Sequence, residues 1–182
     1  MKKSLCIIGI LLALISCKEP KARKPLFKSN QTPINFSVER NRDINKKQQK
    51  LILDIIEKEK QLRFVPSQAG YWYAVIEKSK ATEYPSSGDQ VIFTYQIQTL
   101  EGEVVYDENT LGEVNYLVDK EDILPALRYA IKHLKPQETG VFLMPSFLGY
   151  GYQGDGDKVG INQPLRFTIH LKSLKKIKTK ND

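Results

Sequence analysis

Cysteine is nearly absent from this chain of 182 residues: there are two, Cys6 and Cys17, and none beyond them. A disulfide framework, a zinc cluster and a CxxC redox pair are therefore excluded for the rest of the chain. Histidine is equally scarce. His133 and His170 have no cysteine or acidic partner at ligand spacing, so no metal and no cofactor is expected. Long apolar runs are also missing. The longest, Leu5 to Ile15, is far short of the ~20 residues that a span of the ~30 Å hydrocarbon core requires. The glycine-rich stretch Gly149-Tyr150-Gly151-Tyr152-Gln153-Gly154 lacks the GK[ST] ending and following helix of a phosphate loop. Basic residues outnumber acidic ones, 28 to 21, but no aromatics interleave with the basic runs and no recognition motif follows, which excludes nucleic acid as a partner.

What is present suits a globular core, with 41% hydrophobic and 9% aromatic residues. The formal charge of +7 is unevenly placed. Residues 18–50 carry ten Lys/Arg against three Asp/Glu, whereas 51–182 carry sixteen against eighteen, so the excess belongs to an extension. Lys172, Lys175, Lys176, Lys178 and Lys180 form a second basic cluster, read as solvated or as a patch attracted to an anionic surface, and residues 177–182 read as a basic tail. At the other end, Lys2 and Lys3 precede the apolar run, the pattern of a signal peptide over residues 1–16. The run stops at Leu14-Ile15-Ser16-Cys17, which resembles the bacterial lipobox. That resemblance implies a diacylglyceryl thioether on Cys17, cleavage before it, and acylation of the new amine. Several acyl chains hold a protein stably, at about 0.8 kcal/mol per buried CH₂. The expectation is a lipoprotein of the cell envelope, anchored to a membrane and facing the periplasm or the cell surface. Lys18-Glu19 leaves inner and outer membrane both open.

Residues 17–42 are polar and basic, with Pro20, Pro25 and Pro33, and read as a flexible tether. From Asp43, Ile44, Leu51, Ile52, Ile55, Ile56 and Leu62 recur near helical spacing, which predicts an amphipathic helix over 43–64 capped by Asp43. Its apolar stripe must bury against the domain that follows or against a second copy of the chain. Beyond Phe64 the period becomes two. Strands are predicted around Tyr71–Ile76, Val91–Tyr95, Val104–Tyr106, Val114–Val118, Val141–Leu143 and Leu165–Leu171. Turns fall at Pro85–Asp89 and Leu100–Gly102, and a helix at Asp122–Leu134 carries Pro125 in its first turn. Residues 65–176 thus read as an α+β domain with an antiparallel sheet.

Several motifs follow one another in that stretch. Pro85-x-x-Gly88-Asp89-x-Val91-x-Phe93-x-Tyr95 is similar to "PxxGDxVxVxY" of the FK506-binding (FKBP) type of peptidyl-prolyl cis-trans isomerase. Glu101-Gly102 with Tyr106-Asp107 resembles its "DGxxFDS", and Ile123-Leu124-Pro125-Ala126-Leu127 its "VIPGW". Met144-Pro145-Ser146-Phe147-Leu148-Gly149-Tyr150-Gly151 resembles "IPSxLAYG", and the stretch Val159 to Phe167 resembles "IPPNxxLxF". Together with the lipobox and basic tether, the chain looks like the gliding-motility-associated FKBP-type lipoproteins. The resemblance implies a five-stranded antiparallel sheet wrapped around the 123–134 helix, with a shallow apolar pocket between them. It implies Tyr106, Asp107, Tyr150 and Leu124 as catalytic residues. Tyr95, Val114, Ile123, Leu127, Val159 and Phe167 would be the substrate-binding walls. Three departures bear on the level of catalysis. Leu127 stands where most members have Trp, one extra residue separates Gly102 from Tyr106, and Gly160-Ile161 replaces Pro-Pro.

The implied chemistry needs no nucleophile. Rotation about an amide C–N bond costs ~18–20 kcal/mol, and X–Pro exchange is slow enough to limit folding. The twisted amide is less dipolar than the planar one, so a dry apolar site favours it relative to water. Leu124 N–H and Tyr150 O–H would receive the substrate carbonyl, and Asp107 would orient the amide. Read without the resemblance, Tyr95 and Phe167 could simply pack, and Asp107 could cap a turn. The implied function is prolyl isomerisation on proline-containing exported clients. The alternative is a non-catalytic chaperone or structural module of the same fold in an envelope complex.

Overall fold

The computed structural model describes residues 33–177 of the chain. Cys17, the signal segment, residues 17–32 of the expected tether and residues 178–182 of the basic tail lie outside the described residues. The described residues from 37 to 177 belong to one compact unit, and of the preceding unit only the helical residues 33–36 are described.

The first element is helix α1, Pro33–Lys58. It begins ten residues before Asp43, so residues 33–42 are helix rather than tether, and Asp43 lies inside it rather than capping it. The reason is local. No glycine or internal proline interrupts this Lys-, Gln-, Glu- and Arg-rich stretch, and Pro33 occupies the first helical position, where its missing N–H costs nothing. The helix ends at Lys58, short of the expected 64, and a turn closed by Leu62 N–H to Glu59 O (2.9 Å) leads out of it. Among the described residues no helix is long and apolar enough to cross a membrane.

Seven strands follow: β1 (Val65–Pro66), β2 (Trp72–Glu77), β3 (Gln90–Gln98), β4 (Val104–Tyr106), β5 (Val114–Leu117), β6 (Glu138–Met144) and β7 (Leu165–Lys175). Helix α2 (Glu108–Leu111) sits between β4 and β5, and α3 (Pro125–Ala130) between β5 and β6. They form one antiparallel sheet in the order β1-β2-β6-β7-β3-β4, with β5 also paired to β3. The six strands read from the alternation are all present, and a two-residue strand, β1, joins them, so the sheet has seven strands where the resemblance implied five. The helix expected over 123–134 is shorter, α3 continuing as a single 3₁₀ turn over Ile131–His133.

Strand alternation builds the inner core. On β7 Leu165, Phe167, Ile169 and Leu171 are buried while the residues between them are not. They pack with Phe93, Ile97, Phe142 and Met144 against Ala126, Leu127, Ala130 and Ile131 of the α3 region. Gly140 permits the close approach: a Cβ there would lie 2.8 Å from Leu134 Cδ2. Strand β6 breaks the alternation, with all seven residues buried, because its outer face is covered as well. Ile52 and Ile55 of α1 pack there on Val141, Leu143 and Leu100, with Trp72 at the edge. The apolar stripe of α1 thus meets its own domain. Burying two isoleucines fully contributes roughly 1.5–3 kcal/mol each. Polar anchors flank them on the same helical face. Gln48, 4% exposed, donates to Ser146 Oγ (2.9 Å) and Asn162 O (2.8 Å) and accepts from Ser146 N–H (2.8 Å). Glu59 meets the Arg166 guanidinium in a two-toothed pair, at 2.5 and 3.0 Å. Gln48, Ile52, Ile55 and Glu59 follow the i, i+4, i+7 spacing of one face. Leu51, which the sequence pattern assigned to the stripe, is instead 51% exposed.

Candidate functional site

Sheet register places the candidate residues on one surface. Directly paired residues point to the same side of a sheet. Tyr106 on β4 pairs with Ile97 on β3, which pairs with Phe167 on β7. Val114 on β5 pairs with Phe93, two residues before Tyr95 on the same face of β3. The helical side comes from Ile123, Leu124 and Leu127, and the loop before β7 supplies Tyr150 and Val159.

These residues form a gradient from floor to rim. Phe167, Leu127 and Val159 are buried in the inner core cluster. Tyr95, Tyr106, Val114, Ile123, Leu124 and Tyr150 pack on that cluster while staying partly exposed. The result is an apolar surface between sheet and helix, with aromatic rings at its edge. Leu127 is 3% exposed, so it contributes volume to the floor but little open platform.

Two donors in this surface are uncommitted. Leu124 precedes α3 with extended geometry (φ −51°, ψ 130°), and Pro125 follows it at the first helical position. An N-terminal residue of this kind has no intrahelical acceptor for its N–H, and among the described residues none accepts it. The Tyr150 hydroxyl likewise bonds no described residue. Burial pushes the Tyr150 phenol up, with Tyr95 and Asp155 adding to the shift, so it stays protonated as a donor at neutral pH. Burial raises the Tyr95 phenol in the same way.

Tyr106 and Asp107 are committed. The Tyr106 hydroxyl donates to Asp155 Oδ2 at 2.5 Å, and this bond, ahead of burial and the charge of Asp157, pushes its phenol up to about 12. The Lys158 ammonium lies 5.0 Å from the centre of the Tyr106 ring. Asp107 is exposed at the rim and caps α2: its oxygens accept from Thr110 N–H (2.9 Å) and Thr110 Oγ1–H (2.7 Å). Those bonds hold its carboxyl below the usual range.

Asp155 is a residue that sequence reasoning missed. Its Oδ1 accepts from Asp157 N–H (2.9 Å) and Val159 N–H (2.8 Å), while Oδ2 accepts from Tyr106. Burial pushes this carboxyl up, but the bonds from Tyr106, Asp157 and Val159 outweigh it and the net shift is downward. One carboxylate therefore folds the loop onto itself, holds Val159 in the groove and pins the loop to β4. Gly154, at φ +69°, makes room for the same fold, because a Cβ there would collide with the Val159 carbonyl. His133 and His170 are engaged elsewhere. His133 packs on the Tyr73 ring at 4.3 Å, and His170 Nδ1 is 2.9 Å from Thr139 Oγ1. Among the described residues, no three His, Cys, Asp or Glu gather as a metal site would need.

The arrangement is suited to holding a small apolar ring and to offering two neutral hydrogen-bond donors to a carbonyl. Comparison with known proteins points the same way. The family model for FKBP-type peptidyl-prolyl cis-trans isomerase matches residues 81–172. The chain is 26% identical over 103 residues to a Neisseria meningitidis serogroup B protein described as "Probable FKBP-type peptidyl-prolyl cis-trans isomerase FkpA". The match covers 57% of this chain but only 37% of that protein. Among solved structures, a peptidyl-prolyl cis-trans isomerase from Pseudomonas syringae pv. tomato has TM-score 0.57 at 18% identity, covering 72% of this chain and 96% of that one. FkpA from Escherichia coli has TM-score 0.54 at 22% identity, covering 96% of this chain and 83% of the other.

Proposed function

Because the chain belongs to the FKBP-type peptidyl-prolyl cis-trans isomerase family, we propose that its groove catalyses rotation about X–Pro bonds in exported polypeptides. The observation that carries this reading is the pair of uncommitted donors, Leu124 N–H and Tyr150 O–H, above an apolar floor. The pyrrolidine ring packs on Phe167, Leu127 and Val159, between the Tyr95 and Tyr106 rings. The preceding carbonyl accepts from Leu124 and Tyr150. As the C–N bond twists, its nitrogen loses resonance and the amide loses dipole. The apolar surround then favours the twisted form over the planar one, which lowers the barrier without a covalent intermediate. Asp107 acts at the rim through its field, fixed in place by Thr110.

The test is a proline-limited refolding assay with the purified protein, which reports isomerisation without a coupling protease. Acceleration that falls in Tyr150→Phe, with the variant still folded, supports the mechanism. A folded wild type that leaves the refolding rate at its uncatalysed value defeats it. In that case the second reading, a chaperone or structural module of the same fold, takes over. The observation favouring that reading is Leu127, whose buried side chain provides less open platform than an indole.

We further propose that Cys17 carries the lipid anchor, that the domain works at an envelope membrane, and that the clients belong to exported machinery such as that of gliding motility. The lipobox-like Leu14-Ile15-Ser16-Cys17 supports this. Metabolic labelling with an alkyne fatty acid should mark the wild type and not Cys17→Ala. Label persisting on the variant would refute the anchor.

A further inference from the structure

Helix α1 does more than cover the outer face of the sheet. Its N-terminal half and the segment 146–153 enclose a cleft of about 450 Å³. Asn41 and Asn45 line it from the helix; Phe147, Tyr150 and Tyr152 line it from the loop. Three features of this cleft bear on what it could hold.

First, it shares a residue with the groove. Tyr150 packs on the inner core cluster that also receives Leu124 and contains Val159, and it lines the cleft as well. Second, large apolar side chains stand open there: Phe147 is 48% exposed and Tyr152 70%. Third, the polar side chains are neutral; those of Ser146 and Gln153 are bonded within the protein, and two asparagines are uncommitted. No charged residue lines the cleft, in a chain with 27% charged residues, so the cleft does not select on client charge. The Asn41 and Asn45 side-chain amides bond no described residue. One helical turn separates them, ~6 Å along the axis at 1.5 Å per residue. Backbone groups on one side of an extended chain recur every two residues, or ~6.7 Å. Each amide both donates and accepts, so the two match successive N–H and C=O groups of an extended backbone whatever its sequence.

We propose that this cleft is a subsite for an extended, unfolded polypeptide, holding the client residues that flank the isomerised proline. It rests on the groove reading and adds client-length selectivity to it. Short X–Pro peptides occupy the groove alone, whereas unfolded proteins occupy groove and cleft.

The experiment uses the full-length protein in mild detergent and two substrates, an uncharged X–Pro tetrapeptide and an unfolded protein with a proline-limited refolding phase. The variants are Asn45→Ala with Tyr152→Ala, and separately Asn41→Trp, which fills the cleft instead of stripping it. Asn41 and Tyr152 are exposed and Asn45 half-buried, and a thermal melt of each variant checks that it folds. The proposal requires kcat/KM on the tetrapeptide within twofold of wild type. On the protein substrate it requires a fall of about tenfold, carried by KM, from the loss of one amide and an aromatic wall in the first variant and from the filled cleft in the second. Equal losses on both substrates, or no loss on the protein, overturn it. Should wild type turn over neither substrate, the isomerase reading fails by itself. Fluorescence anisotropy with a permanently unfolded, alkylated protein then decides the cleft: binding lost in both variants upholds it, and binding absent or unchanged overturns it.

Discussion

Replacing Gln48 by alanine should loosen the attachment of α1 without touching the groove. The amide is 4% exposed and makes three bonds of 2.8–2.9 Å: to Ser146 Oγ, from Ser146 N–H and to Asn162 O. A net ~1 kcal/mol per intramolecular bond gives a loss of about 3 kcal/mol. The buried Ser146 N–H left without its acceptor falls within that figure, since removing one partner exposes the desolvation cost of the other. For a unit of this size each kcal/mol moves Tm by roughly 3 °C, so Gln48→Ala should melt about 10 °C lower. Gln48→Glu tests the geometry more finely. It keeps the acceptor for Ser146 N–H but loses both donated bonds, and it buries a charge, so it should be at least as destabilising at neutral pH. Differential scanning calorimetry gives the shift, and amide exchange along α1 locates it. A loss under about 0.5 kcal/mol, or faster exchange spread evenly over the sheet, would refute the view that this amide docks the helix.

Tyr106→Phe keeps the ring and removes its bond to Asp155, so exchange at the Val159 amide, which Asp155 accepts, should quicken and catalysis should fall. Unchanged exchange would mean that the loop holds itself. Leu127→Trp should raise kcat/KM by up to about tenfold, worth ~1.4 kcal/mol at the transition state, while overpacking a site 3% exposed costs about 1–3 kcal/mol of stability, read as a lower urea midpoint. A folded variant with no gain would show that the indole platform is not what limits the proposed isomerisation. Acid should destabilise the domain through Asp89 and Asp155. Burial pushes the Asp89 carboxyl up, but bonds from Lys176 and Ser86 outweigh it, and like Asp155 it ends below its ordinary 3.8. A lowered carboxyl stabilises fully above the unfolded value and loses that contribution as pH falls through the folded one. The urea midpoint should therefore lose these contributions below pH ~4, and Asp89→Asn should shrink that drop. An identical acid profile in the variant would contradict the assignment.

Within the chain itself, some of this was legible and some was not. The alternation of Leu165, Phe167, Ile169 and Leu171 declared a strand with one buried face, because the period of two is a local property of the backbone. The turns at Gly88 and Gly102, both with positive φ, were legible for the same reason. So were the residue types of the groove, since Tyr95, Tyr106, Leu124 and Tyr150 sit in short motifs whose spacing survives without knowledge of the fold. The start of α1 was misplaced because Asp43 carries a cap's side chain wherever it stands. Only the helical course of residues 33–42 removes the end that it would cap.

What tertiary structure alone decided are the contacts across long separations. Gln48 looked like a polar spacer in the sequence. It is buried because its helical face meets Asn162 at a separation of 114 residues. Val141 and Leu143 are buried on the outer side of β6 by Ile52 and Ile55 of α1 together with Leu100. Asp155 reads as one more loop aspartate until Tyr106, 49 residues earlier, is seen to donate to it. Composition and period fix what each segment can do by itself. Which buried polar group finds a partner is set by where distant segments come together, and no local pattern encodes that distance.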